Sequence, residues 1–230
     1  MSEALIIIAM VLLTVTTFFL MTRLYQRFPT PILIPILTST AIIIAILLSL
    51  RLPYDTYMTG GKFIDYLLGP AVVALAIPLY KQRIMLMKNM VSLIGGVLVG
   101  SLAGILTGLW LAKGIGVEKM LVTSLVPKSV TTPVAMNIAT EIGGNPSLTV
   151  AFVMIAGIGG TVLSPYLIKL FRIDHALGQG IALGSASHAI GTAKAFEYGE
   201  DAASVSSVAM TLCAITVSIL APLFMMAFYA

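Results

Sequence analysis

Lys128-Ser129-Val130-Thr131-Thr132-Pro133 gathers an ammonium, three hydroxyls and a proline between apolar flanks. A lysine at membrane depth costs about 2.5–3.5 kcal/mol on insertion scales, so it normally faces a cavity or a partner. Pro133 suits the first turn of a half-helix, where its missing amide proton is no loss, with Thr132 as the N-cap. Such a terminus offers free N–H groups and a positive dipole end to a carboxylate. Asn137 and Glu141 follow one and two turns later on roughly the same face. Asn137 joins the candidate set, whereas Glu141, beside Gly143-Gly144, reads as a solvated helix end. A second cluster, Ser185-Ala186-Ser187-His188-Ala189-Ile190-Gly191-Thr192-Ala193-Lys194, adds hydroxyls from Ser185, Ser187 and Thr192, a cation from Lys194 and an imidazole. His188 can relay a proton near neutral pH, donate to an anion, or simply bond a neighbouring helix. Lys194 has a plainer role available, pairing with Glu197 or Glu200.

Catalysis fits these residues poorly. Neighbouring helix positions point about 100° apart, so Lys128 and Ser129 form no Ser/Lys dyad on a regular helix. Neither G-x-S-x-G nor H-E-x-x-H occurs. The two histidines are far apart, Cys213 stands alone in an apolar run, and no cluster has metal-ligand spacing. The expectation is no enzyme, no cofactor and no metal.

The elements that position these groups follow from composition. The 230 residues are 59% hydrophobic and 10% charged, against roughly 25% charged in soluble domains. So much apolar surface requires lipid as solvent. Apolar runs at 4–21, 31–50, 63–80, 91–112, 148–171 and 202–228 each approach the ~20 residues that span a bilayer. The start MSEALIIIAM lacks the basic region and cleavage site of a signal peptide, so the first run is expected to remain as a helix. Val117–Gly144 and Asp174–Gly199 are different, being rich in Ser, Thr, Gly and Pro. Irregular backbone at membrane depth persists only where protein or a wet cavity surrounds it, so both read as broken or re-entrant segments. Helix breaks are placed at Gly69, Pro70, Pro133, Gly184 and Gly191. Pro31, Pro35 and Pro78 interrupt other runs, and Gly95-Gly96, Gly100 and Gly104 read as helix packing.

The formal charge of +4 sits in short loops, which excludes a nucleic-acid tract. Arg23 and Arg27, then Lys81, Arg83 and Lys88, then Lys169 and Arg172 mark three basic loops. The positive-inside rule puts these in the cytoplasm, the N-terminus outside and the C-terminus inside. The fold class expected is an all-α polytopic membrane protein of about seven crossings, with Val117–Gly144 dipping in and returning. It forms one membrane domain, 1–230, with repeat halves at 31–112 and 146–228 around 117–144. An odd number of crossings per half makes the repeat inverted. A rival register aligns Ser129, Pro133 and Glu141-Ile142-Gly143 with Ser187, Gly191 and Glu197-Tyr198-Gly199, followed by Ser164-Pro165 and Ala221-Pro222.

LVPKSVTTPVAM (Leu125–Met136), GSASHAIGTAKA (Gly184–Ala195) and LLGPAVVALAIPLYKQ (Leu67–Gln82) resemble the LrgB/CidB family of membrane proteins, in order and across nearly the whole chain. The resemblance implies either an antiholin-like role in murein hydrolase export and autolysis, or movement of glycolate, glycerate, pyruvate or 3-hydroxypropionate across the cell membrane. It also implies a small LrgA/CidA-type membrane partner and allows a homo-oligomer. Many relatives have Thr and Arg in the His motif where this chain has Ser185 and Lys194. Hydroxyl and charge are kept, but the bidentate fork for a carboxylate is lost. Combined with the residues, the expectation is a facilitated or proton-coupled carrier of short monocarboxylates. In it Lys128, His188 and Lys194 supply positive potential, and Ser129, Thr131, Thr132, Ser187 and Thr192 hold the substrate by hydrogen bonds. The alternative is a regulator of a holin-type pore.

Overall fold

A computed structural model describes residues 3–28, 30, 33–74 and 76–229; the interruption assigned to Pro31 lies outside them. The described residues are helical, without strands, and fall into two units, Met1–Ala71 and Val72–Ala230. Four helices are long and apolar enough to cross a membrane: α1 (Glu3–Arg27), α7 (Met90–Gly114), α10 (Pro146–Leu170) and α12 (Glu200–Tyr229). This is an all-α membrane protein.

In the first unit α1 packs on α2 (Pro35–Ser49), a shorter apolar helix, and on α3 (Tyr54–Asp65). Gly60 lets α3 approach closely, because a Cβ there would stand 2.7 Å from the Ile7 carbonyl oxygen. Thr14 and Tyr57 share a hydroxyl hydrogen bond of 3.0 Å. The apolar run expected to cross at 63–80 is instead divided. α3 ends at Asp65; after a turn at 66–67 the described residues are helical over Leu68–Ala74 (α4) and Ala76–Lys81 (α5), and α6 (Arg83–Lys88) follows a turn at residue 82. Gly69 and Pro70 sit in the first turn of α4, just after the interruption at 66–67. Pro70 suits that place because an amide proton there has no helical partner.

The second unit is built on three long helices with two inserted hairpins. Between α7 and α10, α8 (Lys119–Leu125) leads into a turn and α9 (Thr132–Glu141) returns. The two ends of this segment meet. Thr123 Oγ1 donates to the Gly143 carbonyl at 3.3 Å, and the Asn145 amide donates to Ser124 Oγ at 2.8 Å. Gly143 ends the hairpin at φ 80°, a left-handed conformation that glycine adopts without steric cost. The Asn145 side chain then caps α10, accepting from the amides of Ser147 and Leu148. The segment enters and returns as the sequence suggests.

α11 (Ala176–Ala195), which composition marks as a broken or re-entrant segment, folds back on itself. Its break lies at His188, with φ 42° and ψ −129°, rather than at Gly184 or Gly191. A straight helix would hold residues 183 and 191 about 12 Å apart. Here a Cβ on Gly191 would lie 2.2 Å from the Leu183 carbonyl oxygen. Gly184 serves another close approach, with the Ser206 carbonyl of α12 2.3 Å from its Cβ position. Both glycines therefore admit backbone against backbone, while a non-glycine residue takes the strained angle. The run 63–80 is thus interrupted at 66–67, and 176–195 at His188.

A shared core joins these pieces: Val97, Ile105 and Leu109 of α7, Val126 and Val130 of the first tip, Val153 of α10, and Cys213 and Val217 of α12. The close approaches give a clear expectation for thermal unfolding of the detergent-purified protein. Gly184→Ala and Gly191→Ala place a methyl against backbone and each costs about 1–3 kcal/mol. Gly95→Ala and Gly159→Ala meet nothing within 4 Å, and each should be neutral or stabilising by up to ~1 kcal/mol, since alanine is the better helix former.

Candidate functional site

α7 carries a glycine every fourth residue, and each faces a particular side chain. A Cβ on Gly96 would meet Ile181, one on Gly100 would meet Ser185 Oγ at 3.0 Å, one on Gly104 Ser129 Oγ at 3.1 Å, and one on Gly108 Lys128 Nζ at 2.9 Å. The order is informative. The first arm of α11 advances from Gly96 to Gly100, whereas the α8–α9 tip places Lys128 nearer the end of α7 and Ser129 deeper. The two hairpins therefore approach from opposite ends of α7 and meet between Gly100 and Gly104, about 6 Å apart along the axis. Gly104 lies roughly 15 Å from the end of its helix at 1.5 Å per residue, which is the middle of a hydrocarbon core about 30 Å thick.

Lys128 is partly buried, and its ammonium donates to the Gly104 carbonyl at 2.7 Å. Thr131, two residues beyond Ser129, is the N-cap of α9 in place of Thr132, with Pro133 in the first turn. Its hydroxyl makes no capping hydrogen bond and has no partner among the described residues, although Thr131 is only 8% exposed. Ser185 Oγ donates to Ile181 O within its own arm at 2.6 Å.

On the other side of α11, His188 and Ser187 face α10. The His188 Nε2–H donates to the Val153 carbonyl at 3.1 Å. A Cβ on Gly157 would strike the imidazole, and one on Gly160 would lie 2.1 Å from Ser187 Oγ. Ser187 is 1% exposed and its hydroxyl, like that of Thr131, has no partner among the described residues. His188 therefore ties the second tip to α10, the plainer of the roles open to it.

Three expected ligands lie elsewhere. Thr192 Oγ1 donates to the His188 carbonyl and shares a 3.0 Å hydrogen bond with Ser206 Oγ of α12. Lys194 forms an ion pair with Glu197 at the end of the second arm, where the carboxylate is mostly exposed. Asn137 is exposed, as is Glu141 at the close of α9. Local pairing holds Lys194 because its partner is one helical turn away. Lys128, Ser129 and Ser185 gather on α7, and Ser187 and His188 on α10. Gly69 and Pro70 belong to the first unit and lie outside this grouping.

The sequence reading did not assign Gly108, Gly157 or Gly160 to these polar groups. The four-residue spacing that runs on from Gly96, Gly100 and Gly104 to Gly108 was the available signal. It also missed Cys213, whose thiol lies 3.3 Å from Ser101 Oγ and 3.7 Å from the Ser185 carbonyl. An open cavity of about 310 Å³ lies against α12, lined by Val73, Ala76, Leu79, Val134, Thr211, Ala214, Ile215 and Ser218. It is almost wholly apolar. The Thr211 and Ser218 hydroxyls turn back to their own helix, so this cavity presents no free polar side chain.

The chain matches the model of the LrgB-like family over residues 14–227. It is 54% identical over 229 residues to the uncharacterized protein YxaC of Bacillus subtilis, covering all of both chains. The uncharacterized protein YwbG of the same organism is 42% identical over 210 residues, covering 91% of this chain and 93% of the relative. The holin-like protein CidB of Staphylococcus aureus is 36% identical over 220 residues, covering 96% of each. No solved structure matches. With two long hairpin motifs seated on glycine-bearing helices and a family match across nearly its entire length, this multi-pass membrane protein belongs to the LrgB-like family.

Proposed function

We propose that the protein carries short monocarboxylates, such as glycolate, glycerate, pyruvate or 3-hydroxypropionate, across the cell membrane, and that the anion binds where the two hairpin tips meet. The observation that carries this reading is Lys128, an ammonium held at membrane depth with a backbone carbonyl as its hydrogen-bond partner. A carboxylate replaces that neutral acceptor with a charged one, and charge-assisted hydrogen bonds are roughly twice as strong. Thr131 and the amides of the first turn of α9 complete the anion side, at the positive end of a half-helix. Ser129 and Ser185 supply hydroxyls for the substrate hydroxyl or keto oxygen.

A single buried cation matches one negative charge, which favours monocarboxylates over dicarboxylates. The inverted arrangement supports alternating access. Ser129 meets Gly104 and Ser187 meets Gly160 at the same place in two 25-residue helices, α7 and α10. The basic loops orient the C-terminus toward the cytoplasm.

A second reading draws on the relatives named holin-like protein CidB: regulation of a holin-type pore together with a small LrgA/CidA-type membrane partner. Flux and lysis separate the two. If transport is the primary activity, Lys128→Ala in proteoliposomes lowers uptake of labelled glycolate or pyruvate at least about tenfold, the loss of one good charge-assisted contact. Lys128→Arg retains part of it. Equal flux in wild type and Lys128→Ala removes the proposed site, and unchanged control of lysis by that variant favours the pore regulator.

The meeting of the tips has its own test. In a Cys213→Ala background, Ser129→Cys with Ser185→Cys forms a disulfide on oxidation, and the cross-link stops uptake until it is reduced. Absence of the cross-link under denaturing electrophoresis, with each single variant folded, contradicts the arrangement.

A further inference from the structure

We infer that the tip of the second hairpin is a sodium-ion site, separate from the anion site at the first tip. Its role in coupled uptake rests on the transport reading above, whereas ion binding itself does not. The first arm of α11, residues 176–187, ends at membrane depth where His188 leaves helical geometry. The last carbonyls of a helix lack amide partners and carry the negative end of its dipole. Among them the Ser185 carbonyl faces the Cys213 thiol, a weak donor, at 3.7 Å. Beside them stands Ser187 Oγ, 1% exposed and without a partner among the described residues. A buried hydroxyl left unpaired is unfavourable, and here it is packed against α10 at Gly160, where any Cβ would collide with it.

The donor set decides the ligand. The end of the first arm offers carbonyl oxygens and the Ser187 hydroxyl, while the side-chain donors around it, His188 Nε2–H and Thr192 Oγ1–H, are engaged with Val153 O and His188 O. An anion is left with the first amides of the short second arm, residues 189–195. A divalent cation ordinarily takes carboxylates as hard ligands, and every Asp and Glu whose side chain is described is exposed. The same absence of buried carboxylates denies a proton its usual carrier. A small monovalent cation held by carbonyl and hydroxyl oxygens fits, as unwound carbonyls and half-helix C-terminal ends do in other carriers with broken helices. The two tips are then complementary: a helix start at Thr131 for the anion, a helix end at Ser187 for the cation.

The direct test is thermal unfolding of the purified full chain in NaCl, KCl and choline chloride at equal ionic strength, without organic substrate. Sodium should raise Tm saturably and more than potassium does, because a ligand that binds only the native state stabilises it. Ser187→Ala should be at least as stable as wild type in choline, since it removes an unpaired hydroxyl. It should also lose the sodium response or require about tenfold more sodium. Ser187→Cys, with a soft thiol in place of the hydroxyl, should lose it likewise, and Thr107→Ala should keep it. A wild-type Tm equal in sodium and choline overturns the site, as does a full sodium response in both Ser187 variants. Uptake in proteoliposomes with and without an inward sodium gradient then reads coupling. A sodium response in Tm without any carboxylate flux leaves the ion site standing and removes the transport reading instead.

Discussion

Close approach of backbone to polar side chain, made possible by glycine, is the constraint on which the second unit depends. A polar group at membrane depth is costly unless protein surrounds it closely. Lys128, Ser129 and Ser185 reach that depth against Gly108, Gly104 and Gly100 of α7, and His188 and Ser187 against Gly157 and Gly160 of α10. A Cβ would be tightly packed at Gly100, Gly104 and Gly108 and would collide outright at Gly157 and Gly160. The same device seats the hairpin arms on each other and on α12, through Gly191 and Gly184. Helix association in lipid relies on packing, because hydrocarbon supplies no hydrophobic drive between helices. Small residues therefore do two things here: they hold the bundle together and make room for the polar side chains of the two tips.

The two tips are not chemically equivalent. The first presents the start of α9, with an uncapped turn, an ammonium and a hydroxyl beside it. The second presents the end of an arm, with carbonyls, a hydroxyl and an imidazole already committed to α10. Opposite helix ends expose opposite partial charges. Each tip holds one helix end and one helix start, so the difference between them lies in their side chains, the Lys128 ammonium at the first and His188 with Ser187 at the second. This polarity gives a membrane protein of the LrgB-like family a reason to keep polar tips at all, since a purely structural scaffold would be more stable with apolar ones.

Particular residues mark how far the sequence could be read. The segments 117–144 and 174–199 announced themselves by composition, and Pro133 announced the start of a half-helix, because a proline without an amide proton belongs where none is needed. The place of the second break did not. Positive φ is usually signalled by glycine, yet Gly184 and Gly191 are occupied by close contacts and His188 takes the strained angle. Run 63–80 read as a span on hydropathy alone, a measure that cannot register the turn at 66–67 where α3 ends. Lys194 and Thr192 sat in the right motif but turn to Glu197 and Ser206. Which side of a broken arm a residue faces depends on the turn at the tip, and no periodicity reaches across it.

Amino-acid composition by itself determined that lipid is the solvent, that the chain is helical, and that two stretches rich in Ser, Thr, Gly and Pro are interrupted. These follow from local quantities: apolar run length, the φ restrictions of proline, and the cost of placing charge in hydrocarbon. Tertiary structure alone decided that both stretches double back, that they meet on one ridge of α7, and which hydroxyls are left without a partner. Those outcomes depend on pairs of residues far apart in the chain, such as Gly104 with Ser129 and Gly160 with Ser187. A glycine reads the same in sequence whatever lies against it, and its meaning comes from the atom that occupies the space where a side chain would have been.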